Sequence, residues 1–107
     1  MSQRSPTLNT AVVSFTSTGD NTVISSPASG SICVYGIFFT VNAATNITFK
    51  AGSTALSGAV VLSASGSSMT LQINDEPYFY AAPGVNFVMN QSGTASVQGT
   101  VYYTVGN

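Results

Sequence analysis

Proton transfer and nucleophilic attack need a base, and this chain offers few. It contains no histidine, and its charged residues are Arg4, Asp20, Lys50, Asp75 and Glu76. Loss of imidazole removes the commonest general base, proton shuttle and metal ligand together. A hydroxyl nucleophile would have to borrow Lys50 or one of the three carboxylates. Lys50 alternates with Ile47 and Phe49, so it is expected to face solvent. Asp75 and Glu76 are adjacent; along a strand they would project to opposite faces, the wrong arrangement for paired-carboxylate catalysis. Directly before Pro77 they read as turn punctuation. Asp20 could offer oxygen to calcium, but that ion takes about six to eight ligands and no acidic cluster accompanies it, so Gly19-Asp20-Asn21 reads as a plain β-turn. The Gly-rich stretches Gly52 to Gly58 and Ser65-Gly66-Ser67 lack a following helix and a lysine, which makes them loops and not phosphate cradles. Cys33, the sole cysteine, lies in an apolar run without a cationic neighbour and is expected to be buried and inert. No catalytic residue, metal ligand or cofactor site is expected.

The elements around these residues are those of a β protein. At 107 residues the chain fits one domain, and a hydrophobic fraction of 44% is enough to form a core. Charged residues make up 5% against about a quarter in an ordinary domain. Two basic residues cannot supply the footprint that nucleic acid or an anionic membrane requires. The longest apolar run, Ile32 to Val41, is about half the ~20 residues a spanning helix needs. Met1 to Pro6 shows no apolar leader, so synthesis in the cytoplasm is expected.

Period-two alternation recurs, and helical periodicity is missing. Val13 and Phe15 alternate with Ser14 and Thr16; Thr18 to Asn21 reads as a tight turn into Thr22-Val23-Ile24. Thr45 to Lys50, Met69 to Asn74, Tyr78 to Tyr80 and Asn86 to Asn90 follow, with Ala82-Pro83-Gly84 a turn. The last strand is the clearest: Val97, Gly99, Val101, Tyr103 and Val105 share one face, and Ser96, Gln98, Thr100, Tyr102 and Thr104 the other. About eight such strands predict an all-β antiparallel sandwich over residues 9–107, preceded by an extended arm over residues 1–8.

One strand breaks the pattern. In Ile32 to Val41 strict alternation puts Ile32, Val34, Gly36, Phe38 and Thr40 on one face and Cys33, Tyr35, Ile37, Phe39 and Val41 on the other, and both are apolar. A sandwich strand has one wet face, so a second subunit is the expected cover. In Tyr78-Phe79-Tyr80, Phe79 is expected in the core and the tyrosines at a contact.

Val34-Tyr35-Gly36, Phe49-Lys50-Ala51-Gly52-Ser53-Thr54-Ala55-Leu56-Ser57-Gly58, Glu76-Pro77-Tyr78-Phe79 and Val97 to Thr104 together resemble small virion proteins of tailed bacteriophages, in particular capsid decoration or cement proteins of jelly-roll type. The resemblance spans roughly Val34 to Val105 and rests on strand and turn patterns. It implies a jelly roll, no catalytic residues, and a homotrimer on the outer capsid surface of the virion that ties major capsid proteins together. The arm residues Arg4, Pro6 and Leu8 would touch capsid, and Tyr35, Phe39, Tyr78 and Tyr80 would make subunit or capsid contacts. The competing reading is a tail-fibre or receptor-binding module that stacks a surface glycan on Tyr78 and Tyr80.

Overall fold

The computed structural model describes residues 8–27 and 29–106. It contains strands β1 (Asn9–Phe15), β2 (Gly19–Ile24), β3 (Ser31–Val41), β4 (Thr45–Ala51), β5 (Thr54–Ala55), β6 (Val60–Leu62), β7 (Ser68–Leu71), β8 (Phe79–Ala81), β9 (Phe87–Gln91) and β10 (Val97–Gly106). No helix occurs among the described residues. The strands form two antiparallel sheets: sheet A in the order β1-β10-β3-β7, with β8 also on β3, and sheet B in the order β2-β9-β4-β5, with β6 also on β4.

The pairing has a simple logic. β1 pairs with β10, β2 with β9, β3 with β7 and β8, and β4 with β5 and β6. The chain is a ribbon doubled back on itself near residues 52–59 and rolled so that successive pairs fall alternately in sheet A and sheet B. β10 then closes against β3, and β9 against β4. That is a jelly roll. The ten strands occupy eight positions because two positions are each filled by two short segments.

Strand assignment follows the sequence in most places, but the strand read over Met69 to Asn74 ends at Leu71 and leaves Ile73 exposed in the following connection, and the turns follow less closely. Ala82-Pro83-Gly84-Val85 is a tight turn: the Val85 amide donates to Ala82 O at 3.0 Å, and Gly84 has φ 85°. Proline before a residue with positive φ is the type II arrangement, and glycine meets it without strain. Thr18 to Asn21 is not a turn. The crossing from sheet A to sheet B uses Thr16 to Thr18, and Asp20 already lies in β2. Side chains hold this crossing: Asn21 Nδ2 donates to Ser17 O at 2.9 Å, and Thr18 Oγ1 donates to Gly93 O.

The core lies between the sheets around four phenylalanines. Phe49 stacks on Phe79 at 4.7 Å between ring centroids, lies 6.2 Å from Phe87, and meets Phe39 edge-on at 6.2 Å. Val13, Ile32, Val34, Ile37, Ile47, Val97 and Val101 complete it. Among the described residues one large polar side chain is fully enclosed. Gln91 Oε1 accepts from Thr45 Oγ1 (2.9 Å) and the Ala95 amide (3.0 Å), while Nε2 donates to Ala95 O (2.9 Å) and Ser17 O (3.2 Å). All its polar atoms are engaged, so its burial carries no unpaired-group penalty. It also ties the β9–β10 turn to β4 and to the β1–β2 crossing.

β3 explains its own apolar pattern. Tyr102 pairs with Gly36 and the next residue, Tyr103, pairs with Val34, which leaves Tyr35 as an extra residue in a β-bulge. The bulge changes the phase of the strand. Ile32 and Val34 point inward before it, and Ile37, Phe39 and Val41 point inward after it. The expected doubly apolar strand is thus largely one core-facing strand whose face switches midway, so its pattern does not by itself require a subunit to cover it.

Candidate interaction surface

The same bulge decides which side chains face outward. Cys33, Tyr35 and Phe38 lie on the outer face of sheet A, with Phe38 42% exposed. Cross-strand register builds the surface from them. Phe38 is opposite Thr100, which is opposite Val12, so Val12 and Phe38 flank one threonine with Cα atoms about 10 Å apart. Val12 is 74% exposed. Tyr102, the next outward residue of β10, lies with its ring 6.5 Å from that of Phe38. Cys33 is opposite Tyr80, which is 54% exposed.

The connection between β7 and β8 forms a rim beside this face. It passes the bulge closely, with Asn74 N donating to Tyr35 O at 3.2 Å and Tyr78 N donating to Val34 O at 2.7 Å. A Cβ on Gly36 would lie 3.0 Å from Ile73 Cγ1, so a glycine there lets the rim approach the sheet. Ile73 and Tyr78 are exposed on the rim, and the Tyr78 hydroxyl donates to Gln72 O at 2.7 Å. Asp75 and Glu76 are exposed in the same segment.

Charge is distributed unequally between the two outer faces. No strand residue on the outer face of sheet A is an Asp, Glu, Lys or Arg; its groups are aliphatic, aromatic, thiol, amide and hydroxyl. The ion pair of the molecule's described part is on sheet B, where Lys50 Nζ lies 2.9 Å from Asp20 Oδ1. Asn90 Nδ2 also donates to Asp20 Oδ1, at 2.7 Å. The Asn90 hydrogen bond, followed by the hydrogen bond and charge of Lys50, holds the Asp20 carboxyl below its ordinary value of 3.8. A lowered folded-state pKa contributes stability above the unfolded value and loses it as pH falls through the folded one. Because the group is exposed, the contribution is small and screened by salt. Asp20→Asn is therefore expected to lower the melting temperature at neutral pH by no more than about 4 °C. In melts from about pH 6 to about pH 2, the gap between wild type and variant should close below 3.8; a constant gap would show that the pair has no linkage to folding.

The residues expected to make contacts fare differently. Tyr35, Tyr78 and Tyr80 lie on or beside the outer face of sheet A, and Phe79 is directed into the core as alternation requires. Leu8 is half-buried just before β1, and Arg4 and Pro6 lie outside the described residues. Phe39 is corrected: it is 0% exposed and packs on Phe49, so it is a core residue. Without the bulge Phe39 would share the face of Tyr35; with it, Phe38 does. Phe38, Val12, Tyr102 and Ile73 were not singled out by their sequence pattern, although Val12 beside the inward Val13 was a readable signal. Lys50 faces outward as expected, but its partnership with Asp20 joins residues 30 apart and was not legible.

Asp75 and Glu76 stand on the rim, and Lys50 pairs with Asp20 on the opposite sheet. Among the described residues no group of three or more His, Cys, Asp or Glu is placed to hold a metal ion. No protein-family model matches this chain, and no curated protein and no solved structure matches it significantly.

Proposed function

We propose that this chain is a non-enzymatic capsid decoration protein of a tailed bacteriophage. In this reading it acts as a homotrimer that binds the outside of the major capsid lattice and stabilises the head. The observation that carries it is the outer face of sheet A, where Phe38, Tyr80, Tyr102 and Val12 stand among hydroxyls without an ionic group. A surface of that kind adheres through shape, apolar area and neutral hydrogen bonds, and it keeps its hold when salt changes. Repetition around a symmetric oligomer multiplies modest contacts into avidity. A ligand that binds only the assembled lattice stabilises that state by mass action.

Phe38→Asp with Tyr80→Asp tests this, because both side chains are exposed and neither supports the core. Binding of the double variant to expanded capsids of the encoding phage should weaken by about 30-fold or more, the effect of losing a hot-spot contact. Its circular dichroism spectrum should stay that of the wild type. Unchanged capsid binding by the folded variant would overturn the reading. Wild-type binding to a glycan array, lost in Tyr80→Ala, would instead establish the receptor-binding alternative.

A further inference from the structure

The sandwich has four sheet edges, and three of them are blunted. The β2 edge carries Asp20 and a bulge at Val23. The outer edge of sheet B is broken into β5 and β6, of two and three residues. The far edge of sheet A is broken into β7 and β8, separated by a rim that carries Asp75, Glu76 and Pro77. Such breaks, charges and bulges prevent a sheet from being extended. β1 has none of them. It runs seven residues without charge, proline or register shift, and among the described residues its backbone hydrogen bonds are those of its ladder with β10.

The geometry points to β1 as an edge that pairs with β1 of a second copy, antiparallel about a two-fold axis, joining two A sheets into one. Another copy is the occupant because the edge complements itself. A two-fold axis sets each charge against its like near the axis, and β1 carries no charge to be repelled. Pairing with any other edge of a second copy is obstructed by the devices just described, so the contact is isologous and closes at two. Full overlap of the seven residues centres the axis on Val12, which faces its own copy, and places Thr10 opposite Ser14 of the other chain. That overlap forms about six to eight main-chain hydrogen bonds. It also brings the exposed Val12 side chains together. This pairing goes beyond the capsid reading and does not depend on it: in a homotrimer each β1 edge would pair with that of a second trimer, so loss of the pairing halves the mass in either case.

Charge exchange at Val12 tests the register directly. By sedimentation equilibrium at tens of micromolar, Val12→Lys and Val12→Glu alone should each show half the wild-type mass, and an equimolar mixture should regain the full value. A second set checks the neighbouring pair: Thr10→Lys with Ser14→Glu in one chain should keep the wild-type mass, and Thr10→Lys with Ser14→Lys should halve it. These side chains are exposed, so the fold should survive, as verified by circular dichroism. Wild-type mass in the single Val12 variants overturns the pairing, and so does a halved mass that mixing fails to restore. A mass unchanged by Thr10→Lys with Ser14→Lys overturns it as well.

Discussion

Gly99→Ala should lower the melting temperature by at least about 12 °C, corresponding to a loss of about 3 kcal/mol or more. Gly99 lies in the ladder directly opposite Phe39, where β10 meets β3. A Cβ built there would stand 2.6 Å from Phe39 Cα and 2.7 Å from Phe39 Cβ, and closer still to the Phe38 carbonyl oxygen. These atoms belong to the backbone and its first branch point, so no rotamer change relieves the overlap. Relief requires β10 to move away from β3, which stretches the central pairing of sheet A. Gly58→Ala is the control, since nothing lies within 4 Å of its added Cβ and its φ is not positive. It should stay within about 0.5 kcal/mol of wild type. Thermal unfolding followed by circular dichroism distinguishes the two, and a Gly99→Ala melt within about 2 °C of wild type would mean that the strands separate more easily than this packing implies.

Phe49→Ala should cost about 3–5 kcal/mol. The ring lies among three other phenylalanines, Phe39 and Phe79 of sheet A and Phe87 of sheet B, and none of it reaches solvent. Removing it leaves a void among aromatic neighbours held by their own strands, so collapse is incomplete and both transfer energy and packing are lost. Since domains of this size hold about 5–15 kcal/mol, the variant loses a large share of its margin. Urea unfolding should show a lower midpoint at an unchanged slope. Phe49→Leu, which keeps much of the volume, should lose distinctly less. A loss below about 1 kcal/mol for the alanine variant would show that the aromatic cluster is not the mechanical centre of the sandwich.

What could be read in the sequence was local. β10 carries its inward and outward residues where alternation puts them from Val97 to Tyr103, though Val105 at its end is exposed, and Phe79 turns inward between two outward tyrosines, because a side-chain period of two is a property of any extended chain. The Pro83-Gly84 turn follows from a similarly local need, whereas the glycine at 99 answers to Phe39 on a neighbouring strand. The bulge at Tyr35 was not legible. It arises from β10 and the rim pairing with different parts of β3, and it alone exchanged the roles of Phe38 and Phe39. Likewise, Asp20 reads as a turn residue from its Gly-Asp-Asn setting, yet Lys50 and Asn90 from two other strands hold it in a ladder. Alternation assigns faces and leaves partners open, so the outward aromatic surface became visible only through register.

The rolled ribbon also imposes an order of events during synthesis. β10 is the central strand of sheet A on which both β1 and β3 depend, yet it is the last of the strands to be translated. At about 5–20 residues per second, β3 waits several seconds on the ribosome before that partner emerges. Until β7 and β8 emerge, Ile32, Val34 and Phe39, which end fully buried, have no neighbouring strand in sheet A, and until β10 emerges that sheet lacks its centre. β1 waits longer still. An edge whose one ladder partner among the described residues arrives last is the strand most exposed to meeting another nascent copy of itself.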